Sequence, residues 1–157
     1  MKSLNQIRML FVILGLAVLF SSGQTLLAQD NGVVTIQSKA SFDKTVESLR
    51  KMVSQNHMMV LSEINQGKIL SMTGLKLKGI SLFVGNPAIG KKLFTANKGV
   101  GVAVPIRVNV FEDNNGKTYV NYVKPSSQLA SFDNKQINMI AKKLDKKLEM
   151  LTSMLSR

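Results

Sequence analysis

The segment Gly85–Lys92 holds the densest group of residues that could contact a ligand, and it reads GNPAIGKK directly after an apolar run. It approaches the nucleotide-binding motif G-x-x-x-x-G-K-[ST], in which backbone amides surround phosphates and a hydroxyl holds Mg²⁺. Lys92 stands where that motif requires Ser or Thr, and Pro87 has no N–H to donate. We therefore expect no nucleotide hydrolysis at this segment.

A simpler anion site is compatible with the same segment. A helix that begins here would direct its backbone amides and the positive end of its dipole towards an anion. The candidate ligand-binding residues are Gly85, Asn86, Gly90, Lys91 and Lys92. The alternative is that glycine and proline only provide the geometry of a strand-to-helix turn.

Candidate catalytic groups are sparse. The sequence has no Cys and one His, which excludes thiolate chemistry, Cys-ligated zinc and a His-rich metal site within one chain. Glu112 and Asp113 follow a predicted strand and adjoin a predicted hairpin turn, and adjacent residues of a strand point to opposite faces, so a solvated turn is the preferred interpretation of this pair. We expect no catalytic residue, cofactor or metal, and an enzyme that uses His57 or Glu112 is the alternative.

Length and composition predict one basic globular domain. The chain has 157 residues, of which 45% are hydrophobic, and this is enough for a core of its own. It carries 21 Lys and Arg against 9 Asp and Glu, a formal net charge of +12. Such a charge favours small anions, anionic polymers or anionic lipid as partners.

The N-terminal segment predicts export. Lys2 and Arg8 precede the apolar run Met9–Phe20. That run is shorter than the ~20 residues that span a bilayer and fits the apolar part of a signal peptide. We expect cleavage after Ala28, with cleavage after Gly23 as the alternative.

Residues 1–28 would then be a signal peptide and residues 29–157 a single domain in a bacterial periplasm or outside the cell. An uncleaved N-terminal anchor is the other interpretation of the same segment. Export makes nucleic acid an unexpected partner. It leaves a small anion, an envelope protein or a membrane surface as candidates.

The pattern of apolar residues predicts an α+β domain with the order β-α-β-(α)-β-α-β-β-α and a mixed or antiparallel sheet. The predicted strands are 33–37, 58–64, 80–84, 106–111 and 117–123, and the predicted helices are about 42–54, 88–95 and 134–155, with a short helix between 65 and 79. Asn115 and Gly116 predict a hairpin between the last two strands. The continuous apolar run 80–84 predicts a strand that is covered on both faces.

The predicted C-terminal helix has an apolar stripe from Ile137 to Leu155 and several lysines away from it. Membrane-surface helices share this pattern. An amphipathic helix that closes the core or a dimer interface fits it equally, with its lysines in solvent, and we prefer that interpretation. A basic adaptor at anionic membranes is the alternative.

Five segments in a fixed order carry a resemblance to a known family. They are Ser41–Val46 (SFDKTV), Phe83–Gly90 (FVGNPAIG), Val104–Val108 (VPIRV), Val110–Lys117 (VFEDNNGK) and Tyr122–Pro125 (YVKP). Together they resemble the bacterial domain-of-unknown-function family catalogued under number 302, over about residues 33–155.

The resemblance implies a compact α+β fold, homodimers and no established biochemical activity. Members often carry an acid-His pair where this chain has Asn65 and Gln66, and an Asp where it has Lys124. These departures lower the expectation of catalysis. We therefore predict an exported, non-enzymatic homodimer that binds a small ligand, such as an anion, or a protein partner in the envelope.

Overall fold

Within residues 32–156, which the computed structural model describes, five strands form one antiparallel sheet. In chain order they are β1 (Val33–Gln37), β2 (Met59–Ile64), β3 (Gly79–Gly85), β4 (Ile106–Glu112) and β5 (Thr118–Val123). Their order across the sheet is β1-β5-β4-β3-β2, and each neighbouring pair is antiparallel. The predicted signal peptide, residues 1–28, lies outside the described residues.

The helices of the described residues connect and cover these strands. They are α1 (Phe42–Gln55), α2 (Gln66–Ser71), α3 (Pro87–Ala96), α4 (Pro125–Gln128) and α5 (Lys135–Ser153), with 3-10 turns at Lys98–Val102 and Ala130–Phe132. The α+β class and the predicted order of elements are confirmed. The structure adds α4 and the two 3-10 turns, which are too short to show a periodic pattern. From residue 32 to residue 156, no helix has the length and apolarity to cross a membrane.

One face of the sheet carries the core. Alternate strand residues such as Leu82, Val108 and Val120 are fully buried there. They pack against the predicted apolar stripes of α1 and α5, which include Leu49 and Leu148. These stripes are buried because apolar residues at helical spacing lie on one side of each helix.

The second face of β3 differs from the prediction. Ile80, Leu82 and Val84 are buried on the core face, but Phe83, on the other face, is only partly buried. The short helix α2 packs against β3. A continuous apolar run therefore identified the strand correctly, but it did not show that the second face is partly open.

The predicted hairpin between β4 and β5 is confirmed. Gly116 has φ +75°, a conformation that glycine adopts without strain. Asp113 Oδ1 accepts hydrogen bonds from the amides of Asn115 at 2.9 Å and Lys117 at 2.8 Å. These amide donors, that of Lys117 above all, hold the pKa of Asp113 below its usual value. This turn sets the register of β4 against β5.

Candidate functional site

The face of the sheet opposite the core forms a wide groove of about 690 Å³, which we call the open-face groove. Strand residues alternate between faces, so β3, β4 and β5 each present every second side chain to it. Its floor includes Ser81, Phe83, Arg107, Asn109 and Asn121. Its walls include Gln66 and Leu77 on one side and Val102, Ala103 and Pro105 on another.

Strand register places a row of polar side chains across this face. Ser81 lies opposite Asn109, and Asn109 lies opposite Asn121. Asn121 in turn lies opposite Thr35 on the edge strand β1. We call Ser81, Asn109 and Asn121, together with Gln66 of α2, the polar row.

The polar row is a continuous chain of hydrogen bonds. Gln66 Nε2 donates to Ser81 Oγ at 2.5 Å, and Ser81 Oγ donates to Asn109 Oδ1 at 3.3 Å. Asn109 Nδ2 then donates to Asn121 Oδ1 at 3.1 Å. Each side chain thereby fixes the orientation of the next, which gives the groove a preorganised polar floor.

The two ends of the polar row have unused hydrogen-bonding capacity. Gln66 Oε1 is buried and has no partner among the described residues. At the other end, the Asn121 amide accepts a bond but donates none to residues 32–156. A buried polar atom without a partner costs about 1–3 kcal/mol, so a ligand or water that pairs with Gln66 would recover free energy.

Arg107 adds a positive charge beside the polar row. It lies opposite Phe83 and two residues before Asn109, on the same face of β4. Its guanidinium makes no ion pair or hydrogen bond within the part of the chain that the structure describes. Beyond the other side of the row, Phe111 and Tyr119 stack with their ring centroids 5.4 Å apart. No acidic side chain is among the described residues that line the groove.

The residues predicted to bind an anion lie elsewhere, at the junction of β3 and α3. Asn86 caps α3, because its Oδ1 accepts from Ile89 N at 3.0 Å and its Nδ2 donates to His57 O at 2.7 Å. Gly90 N donates to Asn86 O at 2.8 Å. Two of the first-turn amides that could hold an anion are thus engaged within the protein, and Pro87 has none.

The same junction separates the glycines from the lysines. Gly85, Asn86 and Gly90 line a second cavity, whose surface is almost entirely apolar. Lys91 and Lys92 are exposed and do not line it. The structure therefore does not bring the five predicted residues together around one polar space.

Glu112 and His57, the candidates for an enzyme, lie apart from the open-face groove. Glu112 forms an ion pair with Lys78 at 3.0 Å. His57 is exposed, and its φ of 55° reverses the chain between α1 and β2. Its carbonyl receives the hydrogen bond from Asn86. Within residues 32–156, no group of three or more His, Cys, Asp or Glu side chains could hold a metal ion.

The apolar stripe of α5 is part of the core. Ile137, Ala141 and Leu144 are buried, whereas Lys142 and Lys146 are exposed. The helix therefore presents to solvent a surface whose basic residues are interspersed with single exposed apolar side chains.

Sequence reasoning missed the polar row. The Asn-Gly turn fixes the hairpin register, so it could have paired Asn109 with Asn121 from the sequence. Ser81 and Gln66 join them only through pairing between β3 and β4, which are distant in the sequence. No local pattern carries that information.

The architecture defines a class of small α+β proteins with a five-stranded antiparallel sheet that is covered by helices on one face. The family model "Domain of unknown function DUF302" matches residues 34–155. The chain belongs to this family, which confirms the resemblance in the sequence.

A solved structure shows the same fold. It is described as the crystal structure of an uncharacterized conserved DUF302 protein from Bacillus stearothermophilus, and it matches with a TM-score of 0.73. The match covers 79% of this chain and 98% of that one, at 22% sequence identity. At this identity the likeness concerns the fold alone.

Curated relatives match only part of the chain. The Fluoride-specific ion channel FluC 1 of Brucella suis biovar 1 (strain 1330) is 30% identical over 98 residues, 62% of this chain and 39% of that protein. FluC 1 of Brucella abortus biovar 1 (strain 9-941) is also 30% identical over 98 residues, which is 36% of its length. The chain thus spans well under half the length of these relatives.

Proposed function

We propose that this protein is a non-enzymatic binding domain for a small organic anion, and that the open-face groove is its binding site. The observation that carries the proposal is the combination of an unpaired guanidinium, Arg107, with a preorganised polar row. Their neighbours are apolar or aromatic, which matches the common composition of small-molecule sites.

Charge favours an anion over a neutral ligand. Arg107 is the charged residue among the described residues that line the groove, and no acidic side chain there offsets it. The guanidinium offers N–H donors in a plane, which suits the two oxygens of a carboxylate. Asn121 lies on β5 opposite Asn109, the next residue after Arg107 on this face of β4. Its free N–H groups can donate to the same ligand.

Binding is favoured over catalysis by the groups that line the groove. Ser81 is a potential nucleophile, but its hydroxyl lies between the amides of Gln66 and Asn109. The described lining residues include no His, Asp, Glu or Lys that could act as its base. An envelope enzyme that uses His57 or Glu112 would have to place its substrate outside this groove.

Export and dimerisation complete the proposal. We place the protein in the periplasm or outside the cell because of the sequence of residues 1–28, and we expect a homodimer because of the family resemblance. Native mass spectrometry of the purified protein reports the subunit count. It also detects any small molecule that remains bound.

The test of the site is ligand binding by charge-matched variants. Hexanoate is the probe, and its dissociation constant is measured by NMR titration with a thermal-shift assay as a second readout. Arg107→Gln should weaken binding about tenfold or more, because a charge-assisted hydrogen bond contributes about 1.5–3 kcal/mol. Lys44→Gln, on α1 at the core side of the sheet, controls for the loss of one positive charge.

One more variant and one more titrant are added to this test. Lys92→Gln probes the predicted anion site at α3, and it should bind hexanoate as the unchanged protein does. Sodium fluoride is titrated alongside, because two relatives are named fluoride-specific ion channels. If Arg107→Gln binds hexanoate normally while Lys92→Gln does not, the open-face groove is not the site. If only fluoride binds, the ligand is an inorganic anion and the proposal of an organic one is overturned.

A further inference from the structure

A second cavity of about 190 Å³ lies where β3 ends and α3 begins, and we call it the apolar cavity. Its described lining residues are almost all apolar, and they include Met58, Leu61, Val84, Leu93, Phe94 and Leu144. Leu61 and Phe94 are about half exposed, so the cavity has an apolar entrance. An apolar cavity of ~150 Å³ stays dry and can hold benzene, so this one has room for an apolar group.

The apolar cavity and the open-face groove share a wall. Pro105 lines both of them. Gly85 lies beside Pro105, and a Cβ built on Gly85 would be 3.7 Å from Pro105 Cβ and 2.9 Å from Leu61 Cδ1. A side chain at position 85 would therefore occupy the space between Leu61 and Pro105. Because position 85 has no side chain, only the end of the half-exposed Leu61 side chain has to move for an alkyl chain to pass from one cavity to the other.

The charged group of the groove is close to this route. Arg107 is two residues after Pro105, which directly precedes β4, and two residues of extended chain span about 7 Å. A carboxylate that binds Arg107 can therefore place its chain along Phe83 and Gly85 towards Leu61. The route runs from a polar region with one positive charge to an uncharged region, where Asn86 lines the cavity with its side-chain amide bonded to Ile89 N and His57 O.

We propose that the ligand of this protein is an amphipathic aliphatic carboxylate with about six to eight carbons. Its carboxylate binds between Arg107 and Asn121, and its alkyl chain passes Gly85 and Pro105 into the apolar cavity. This inference rests on the proposed function, since it assumes an anion in the open-face groove, and it adds the chemical class of that anion.

The first test is a series of unbranched carboxylates from butanoate to octanoate, titrated into the protein expressed from its full chain. Butanoate is too short to pass Pro105, whereas hexanoate and octanoate can reach the apolar cavity. Each added methylene group that enters the cavity should tighten binding about three- to fourfold. Hexan-1-ol has the same chain without the charge, and it should bind more weakly than hexanoate.

Gly90→Leu tests the apolar cavity without a predicted clash. A Cβ on Gly90 would meet no atom within 4 Å, so the larger side chain enters open space in the cavity. The variant should weaken octanoate binding about tenfold and leave butanoate binding unchanged. Ala88→Leu is the matched control, because it adds a leucine on the same helix at an exposed position that does not line the cavity.

Methionine methyl NMR gives a readout that needs no variant. Met58 is buried and lines the apolar cavity, whereas its neighbour Met59 is exposed and does not line it. Octanoate should shift the Met58 methyl signal and leave that of Met59 in place, and butanoate should shift neither.

The outcomes separate the two proposals. Hexanoate binding could depend on Arg107 while chain length and Gly90→Leu leave the affinity unchanged and octanoate leaves the Met58 signal in place. In that case this inference is wrong and the proposed function stands. If Arg107→Gln changes the binding of no carboxylate in the series, the proposed function is wrong and this inference fails with it.

Discussion

The turn between β3 and α3 and the polar row on the open sheet face both contain polar residues, but they use them differently. At the turn, Asn86 satisfies the amide of Ile89 and the carbonyl of His57, so its side chain builds the structure around it. In the polar row, Gln66 Oε1 and the N–H groups of Asn121 lack partners within residues 32–156. The second arrangement has capacity left for a ligand.

The difference shows why a local motif can be misleading. A Gly-Asn-Pro segment has a structural use, since glycine and proline shape the turn and asparagine caps the helix that follows. The polar row has no local motif, because its four residues come from α2, β3, β4 and β5. Their meeting depends on strand register and on which face each residue takes.

The largest effect is expected at the centre of the polar row. Asn109→Leu removes the partner of both Ser81 and Asn121. We expect the free energy of unfolding to fall by about 1–3 kcal/mol, since groups of the row lose their hydrogen bonds, and hexanoate binding to weaken more than tenfold. Urea denaturation and NMR titration measure the two effects. Unchanged binding in a folded variant would show that the row has only a structural role.

Asn86→Ala tests the structural role of the turn. Loss of the helix cap should lower the free energy of unfolding by about 0.5–2 kcal/mol. Asn86→Asp keeps an acceptor for Ile89 N but loses the donor to His57 O, so its stability should be intermediate. Chemical denaturation of the three proteins checks this order. Equal stabilities would mean that Asn86 is not needed for the fold.

Gly90→Ala should stabilise the protein. Gly90 lies inside α3, and its added Cβ would meet no atom within 4 Å. Alanine in a helix interior is favoured over glycine by about 0.5–1 kcal/mol. Thermal denaturation should therefore show a higher midpoint. A lower midpoint would mean that the fold itself requires glycine at this position.

The smallest effect is expected from an ion pair outside both regions. Arg50 Nε and Nη2 donate to the two carboxylate oxygens of Glu63 at 2.8 and 2.7 Å. This hydrogen-bonded contact with Arg50 lowers the pKa of Glu63 below its ordinary value of 4.5. The pair is largely exposed, so it contributes at most about 1 kcal/mol.

The sign of its pH dependence follows from that lowered pKa. The pair stabilises the fold above the unfolded pKa of Glu63, and the contribution is lost as pH falls through the lower folded pKa. The unchanged protein should therefore be slightly more stable than Glu63→Gln at pH 7, and the difference should shrink as the pH falls below 4.5 and vanish below the folded pKa of Glu63. A difference that grows in acid would contradict this assignment. Hexanoate binding should be the same in both proteins.

The fold was largely predictable from the sequence because its signals are local. The stripe of Val46, Leu49 and Val53 indicated α1, and the Asn-Gly turn indicated the β4–β5 hairpin. The order of strands across the sheet was not predictable, because antiparallel pairing of β1 with β5 joins the two ends of the domain. The open face of β3 was missed for a related reason, since an apolar run does not show what covers each face.

The candidate site was predictable only as single residues and as the pair Asn109 and Asn121, which the hairpin register sets. Arg107 stood in a strand motif that supported the family resemblance, but nothing near it in the sequence indicated Asn121 or Gln66 as neighbours. Gly85 and Gly90 were identified as candidates for anion contact, whereas the structure places both at the apolar cavity. Their position is consistent with a ligand that has an apolar part.

An NMR titration of the isotope-labelled protein with butanoate, which is too short to reach the apolar cavity, shows directly whether the open-face groove binds the carboxylate. We expect the side-chain amide signals of Asn109 and Asn121 to shift most, together with the backbone signals of Ser81 and Arg107. Shifts confined to the backbone amides of residues 88–92 would place the anion at the start of α3 and rule out the open-face groove as its binding site.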